Sequence, residues 1–333
     1  MQARFKWSTL ILLVLLVLSC LISLNLGAVS IKPWEVIHTF LGNGSDKQEL
    51  ILFQFRLPGI ILALMVGAGM AISGTILQSI TRNELADPGI LGINAGSGLA
   101  VIIYITFFQT AAGGLTLVST FILPLFAFLG AILTGVLIMF LAWKKGIDSI
   151  RLILVGIGVN AGLSAFIIAF QLRLDPHDFV KAMVWLSGDL WAKQWPYVWA
   201  LLPWFIVLSL FTLLKTHTLN ILNLGTQVTT ALGIRSLRER IILLITAVAL
   251  AGLSVAAGGG IAFLGMIAPH ISRRLVGPRH QLLIPTAALI GAIVLIMADA
   301  IGKNVLLPTQ IPAGLIVSLV SVPYFVILLM KTK

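Results

Sequence analysis

Charge is what this 333-residue sequence has least of: Asp, Glu, Lys and Arg together make up 10% of it, and only 11 residues are acidic. A soluble domain carries roughly 25% charged residues, and a chain so poor in them cannot clothe a water-facing surface. This is therefore an integral membrane protein and not a soluble enzyme. There is one cysteine, Cys20, which excludes an internal disulfide and any multi-cysteine metal site. The five histidines, His38, His177, His217, His270 and His280, stand apart in sequence, in loops or at the ends of apolar runs, so they form no metal cluster. No Walker motif, no His-Glu-x-x-His and no nucleophile elbow occurs, so nothing in the chain hydrolyses ATP. Low-complexity tracts and linkers are absent too, and residues 1–333 are expected to form a single polytopic transmembrane domain.

What is present is apolar length. Hydrophobic residues make up 59% of the chain, and the mean hydropathy is +1.08. A spanning helix needs about 20 mostly apolar residues. Ten such runs are found, at 8–27, 57–79, 90–108, 118–142, 152–171, 196–214, 241–257, 260–271, 282–301 and 312–330. The eighth is short and glycine-rich and reads as a half-helix or a re-entrant piece, which protein must bury. Arg4 and Lys6, an apolar stretch and then Leu18-Ser19-Cys20 have the form of a signal peptide with a lipid-attachment cysteine. The apolar run continues through Leu26, which favours an uncleaved first spanning helix.

The formal net charge of +11 fits topology better than nucleic-acid binding, because the basic residues fall between the apolar runs. With the N-terminus in the cytoplasm and ten crossings, 15 of the 22 Lys and Arg residues lie inside and 7 outside. That bias places both termini in the cytoplasm. Two outer loops, 28–56 and 172–195, are long enough to fold. The second carries Trp185, Trp191 and Trp195, a residue type that favours the membrane–water boundary. Arg56 followed by Gly67, Ala71, Ser73 and Gly74 is echoed by Arg240 followed by Ala251, Gly252, Ser254 and Gly258, the pattern of an inverted repeat.

Within the second run, Ala63, Gly67, Ala71 and Thr75 recur every fourth residue, a small-residue face for close helix packing or for lining a pathway. Gln78 and Asn94 are amides in or beside apolar runs, suited to an aqueous path or to satisfaction between helices. Asn83-Glu84-Leu85-Ala86-Asp87-Pro88-Gly89 makes a turn. Gly258-Gly259-Gly260 lets the backbone bend or pack closely and leads into Pro269-His270 and Arg273-Arg274, where His270 reads as structural. Asp299, a carboxylate near the end of an apolar run, is a functional suspect by default, and at the outer boundary it reads equally as a solvated or Lys303-paired carboxylate.

Arg56-Leu57-Pro58, then Gly67 through Gly74, Gln78, and Asn83 through Gly96 resemble the FecCD-type permeases, the transmembrane subunits of iron–siderophore and cobalamin ABC importers. The likeness continues in order through Trp185-Leu186-Ser187-Gly188, Ala231-Leu232-Gly233, Gly265 to His270 with Arg273, and Ile311-Pro312-Ala313-Gly314, nearly the whole chain. The stretch Thr81 through Gly96 is most like iron–siderophore permeases, ahead of cobalamin or haem permeases. The resemblance implies an all-α permease of about ten transmembrane helices in the bacterial inner (plasma) membrane. Two copies, or this chain and a paralogue, would form the pathway, two cytoplasmic ATPases would drive it, and an external binding protein would deliver the chelate. No cofactor, metal or nucleic acid is implied.

Family roles carry over onto particular residues. Arg56 and Lys303 match outer-face cations that dock the binding protein, where opposed charge steers and orients the complex; Gly59 stands where some relatives carry a second arginine. The loop 224–240 resembles the ATPase-contact segment, giving Gln227, Ala231, Leu232, Gly233 and Arg235 that role, although Gly225-Thr226-Gln227 replaces the glutamate common in such motifs. Asp148 and Ser149 resemble the cytoplasmic gate, and Gln78, Asn94 and Asn160 complete the pathway candidates. The implied mechanism is alternating access. An ion-coupled secondary transporter would more often place a carboxylate or histidine mid-membrane, and a membrane-embedded enzyme would cluster such groups at one depth.

Overall fold

The computed structural model describes residues 2–27, 29, 31–108, 117–144, 146, 148–190 and 194–331, with the side chains at 2–4, 117–120, 329 and 331 excepted. Lys145, Trp191, Lys193 and Lys333 lie outside that set. All regular elements among the described residues are helices: α1 Gln2–Asn25, α2 Pro33–Phe40, α3 Asp46–Glu49, α4 Leu57–Thr81, α5 Ile93–Phe107, α6 Leu117–Ala142, α7 Ser149–Gln171, α8 Pro176–Leu186, α9 Trp195–Leu214, α10 Thr216–Asn223, α11 Thr226–Ala231, α12 Ser236–Gly258, α13 Leu264–Val276, α14 His280–Asn304 and α15 Ala313–Lys331. A π-helical stretch, Leu50–Arg56, joins α3 to α4.

Each of the ten apolar runs became a helix. Among the described residues, seven helical segments are long and apolar enough to cross a membrane, and α5 and α15 are shorter apolar helices. The eighth run starts late: residues 260–263 are not helical, and α13 then continues past the run to Val276. Phe263, with φ 65°, sets the turn into α13, and Gly277, with φ 86°, ends it. The described parts of segments 28–56 and 172–195 also fold. Asp175 caps α8 by accepting from the Asp178 amide at 2.9 Å, with Pro176 at the first helical position, where its missing N–H costs nothing.

α4 is the centre of the molecule, packed against α12, α13 and α14, with 83% of its spanning window buried. Lipid is as apolar as leucine, so helices in a membrane associate through close packing and interhelical hydrogen bonds. The small-residue face of α4 supplies the packing. A Cβ on Gly67 would strike the Gly291 carbonyl, and one on Gly74 would strike that of Gly265. Ser73 Oγ adds a hydrogen bond to the Ala247 carbonyl at 2.7 Å, tying α4 to α12. Ala63, Ala71 and Thr75 are fully buried, so this face packs helices and lines nothing open.

By contrast, α7 and α15 present much of their surface. Leu154, Ile157, Phe166 and Ile168 on one, and Leu315, Leu319 and Val320 on the other, are exposed. Trp185 is buried in a cluster with Val101, Tyr104, Ala127 and Val255, because α8 folds back against α5. Trp195 is held at one helix end by donating from Nε1 to the Phe53 carbonyl at 2.7 Å.

Candidate functional site

Three segments far apart in sequence meet as backbone. The chain leaves α8 through Gly188 (φ 81°), leaves α12 through Gly259 (φ 71°) and Gly260, and enters α15 at Gly314. The Gly314 amide donates to the Gly188 carbonyl at 3.0 Å, and the Gly260 amide to the Trp185 carbonyl at 3.3 Å. A Cβ on Gly188 would lie 2.8 Å from the Gly260 carbonyl oxygen and 3.0 Å from Gly314 Cα, so only glycine fits. The glycines at 258–260 therefore serve the close approach of three backbones.

This junction frames a cavity of about 340 Å³ whose polar lining comes from Asn94, Asn160, Ser164, Ser187 and Ser318. Among the described residues no charged side chain lines it. Asn94 donates to the Ile261 carbonyl at 3.0 Å, and its Oδ1 is buried without a partner. Of the pathway candidates, Asn94 and Asn160 are brought together here. Gln78 does not line this cavity. It is buried between α4 and α13, donating to the Met266 carbonyl at 3.3 Å and accepting from Arg273 at 3.1 Å. Asp148 caps α7, accepting from the Arg151 amide at 2.9 Å, and Ser149 Oγ donates to the Ile80 carbonyl at 3.3 Å, against the end of α4. Ser164 and Ser318 escaped the sequence reading. Their positions four residues after Asn160 and Gly314 put them on the same helical faces, a signal that was available.

At one end of α4 and α14, Arg56 and Lys303 line a common pocket of about 200 Å³ with Gln310. Both are constrained. The Arg56 guanidinium donates to the carbonyls of Leu24 and Val29. Lys303 is paired with Asp299 at 2.6 Å, and this carboxylate is buried, so the paired alternative holds and the solvated one does not. A Cβ on Gly59 would point to Lys303 Nζ at 3.8 Å, so that position too faces the pocket.

At the opposite end, α10 and α11 form a projecting corner. Gln227, Ala231, Leu232, Gly233 and Arg235 are all exposed, as are the apolar side chains Leu224, Val228 and Leu237. Thr229 alone in α11 is buried, its hydroxyl bonded to the carbonyls of Gly225 at 2.6 Å and Ile221 at 3.1 Å. The Glu84 carboxylate lies near this end, 3.2 Å from Arg273 and 3.5 Å from His270.

Asp87, in the connection between α4 and α5, is fully buried. Its Oδ1 accepts from the Gly89 amide at 2.8 Å. Oδ2 lies against Gly265, near the N–H groups that open α13 but short of a hydrogen bond. Burial pushes its carboxyl up to about 6, against the lowering pull of the amides of Gly89, Ile90, Phe263 and Met266.

The model of the FecCD transport family matches residues 15–331. The chain belongs to that family. The iron(3+)-hydroxamate import system permease protein FhuG of Bacillus subtilis is 56% identical to this permease over 319 residues, 96% of this chain and 95% of that protein. The iron-uptake system permease protein FeuC of the same organism is 40% identical, over 98% of each chain. Among solved structures, a metal-chelate type ABC transporter in an inward-facing conformation matches with a TM-score of 0.83 and 30% identity, over 98% of this chain and 99% of that one.

Proposed function

We propose that this permease carries a ferric siderophore through the bacterial plasma membrane as the transmembrane subunit of an ATP-binding-cassette importer. Its most informative feature is the uncharged polar cavity at the Gly188–Gly260–Gly314 junction, beside the exposed faces of α7 and α15. Amides, hydroxyls and backbone can hydrogen-bond a chelate without holding it tightly. A second copy of the chain, or a paralogue, would cover those faces and complete the pathway. The name of the relative at 56% identity favours a hydroxamate chelate.

The Arg56–Lys303 end is the outer face, where an external binding protein docks, and both termini are cytoplasmic. The α10–α11 corner is the ATPase contact. Exposed Leu224, Val228 and Leu232 give it an apolar patch of the kind a partner covers. ATP hydrolysis belongs to the partner chains, and this chain carries no catalytic residue.

The test is uptake of radioactive iron as a ferric tris-hydroxamate in cells lacking this chain, with Arg56→Glu and Lys303→Glu add-back strains. Uptake should vanish on deletion and fall in both reversal strains at normal membrane abundance. Because Lys303 serves Asp299, Lys303→Glu is also made on an Asp299→Asn background. Unaffected reversals would remove the docking assignment. Uptake that survives deletion, in cells without a redundant importer, would remove the iron assignment and turn attention to cobalamin and haem.

A further inference from the structure

The α10–α11 corner is joined to the helix core by a buried polar chain centred on His280. His280 is fully buried at the start of α14. Its Nδ1 lies 2.7 Å from Asn220 Oδ1 on α10, and its backbone amide donates to the same oxygen at 3.0 Å. Its Nε2 lies 2.5 Å from Ser79 Oγ on α4. The carbonyl oxygen of Asn220 only accepts, so the ring donates to it from Nδ1, and Nε2 faces a Ser79 hydroxyl that also lies 2.8 Å from the Thr75 carbonyl within α4. The Asn220 amide nitrogen donates in turn to Gln281 Oε1 at 2.8 Å. The links join three helices, α4, α10 and α14, and α4 and α14 pack closely against each other.

Two further bonds anchor the same corner. Arg82, at the left-handed end of α4, donates to the Leu222 carbonyl at 3.3 Å, and Arg240 on α12 donates to Thr226 Oγ1 at 3.2 Å. Thr229 fastens α11 to α10. A polar group left unpaired inside the protein costs far more than one that stays bonded. Sliding α10 against α4 and α14 would strand the His280 Nδ1 side of the ring and the Asn220 amide together, while the Ser79–His280 contact holds α4 to α14.

We infer that Ser79, His280 and Asn220 form a lock that makes the α10–α11 corner move as one body with α4 and α14, so that they are positioning residues for coupling ATPase movement to opening of the pathway. This rests on the proposed ATPase contact at that corner. Neither the lock nor its residues figure among the docking, contact or pathway positions above.

The assembled transporter, reconstituted in vesicles with loaded binding protein, tests it by measuring iron carried and ATP hydrolysed in the same sample. Asn220→Leu and His280→Ala should carry at least about tenfold less iron per ATP, with hydrolysis continuing; Ser79→Ala, which keeps the His280–Asn220 link, should fall between them and wild type. An unchanged ratio in Asn220→Leu and His280→Ala, or iron and ATP falling in proportion, overturns the lock. An independent measurement bridges Asn220→Cys to Gln281→Cys with a short thiol cross-linker on a Cys20→Ser background. Unbridged, this variant lacks the Asn220 link and should carry little iron per ATP; bridging should restore the ratio to within about twofold of the Cys20→Ser transporter, and a bridged form that stays impaired overturns the rigid-body inference. The contact reading fails separately, if Leu232→Glu leaves the ATPase bound as tightly as before.

Discussion

Lys303 Nζ and Asp299 Oδ2 lie 2.6 Å apart on successive turns of α14, with the aspartate side chain 5% exposed and the lysine side chain 26% exposed. The pair is asymmetric, and the two single substitutions should differ. Lys303→Met leaves a buried carboxylate without its cation and should cost about 3 kcal/mol, the low end for a broken buried pair because the lysine is partly solvated. Asp299→Asn leaves only a lysine that can reach water and should cost less. Thermal unfolding of the detergent-solubilised permease measures both. Equal losses would mean that the pair is not what holds this end of α14.

The contact of Gly74 with Gly265 joins α4 to α13 with no room for a side chain. Gly74→Val should destabilise by about 3 kcal/mol or prevent accumulation in the membrane, since neither backbone can withdraw without breaking the helix packing around it. Gly158 on α7 is the control, having nothing within 4 Å of an added Cβ. Gly158→Ala should leave abundance unchanged, or raise stability by up to about 1 kcal/mol through helix propensity. Membrane abundance and melting temperature of the two variants decide it.

The apolar runs were readable because lipid imposes one requirement, length, and each of the ten appears as a helix. The boundaries of the eighth were not, because Gly260 to Phe263 hold their shape through contacts with α8 and α15 that no local pattern encodes. The site was legible only in part. Asn94 and Asn160 stood out as amides in apolar surroundings. Ser79, Asn220 and His280 did not, because each is unremarkable until the fold brings positions 79, 220 and 280 together. Gln78 shows the converse: an amide inside an apolar run that proves to be bonded between two helices.

Asp87 gives the stability a pH dependence with a definite sign. Its carboxyl sits at about 6, above the ordinary 3.8, so the fold favours the protonated form. The ionised form therefore weakens the fold at neutral pH, by at most about 3 kcal/mol for roughly two units. That cost is fully present above about 6 and is relieved as the pH falls from there towards 3.8. Asp87→Asn keeps the acceptor for the Gly89 amide and removes the charge. The variant should melt higher than wild type at pH 7.5, with the gap closing by pH 4.5. A gap that is constant across that range would show that the Asp87 charge is not the cause.

The cavity beside Gly314 makes the sharpest demand on the transport reading. Asn160 lies on α7, packs with its backbone and Cβ against Gly92, and lines the cavity, so a larger side chain there extends into that space. Asn160→Trp should fill much of the 340 Å³ cavity and cut iron uptake by at least about tenfold. Membrane abundance and association with the ATPase should stay near wild type. Asn160→Ala, which enlarges the cavity and removes one hydrogen-bonding group, should lower uptake by less than about threefold, because a pathway for a transient passenger depends more on width than on any single bond. If the tryptophan variant transports normally, the chelate passes elsewhere, and the exposed faces of α7 and α15 serve only to hold a neighbouring chain.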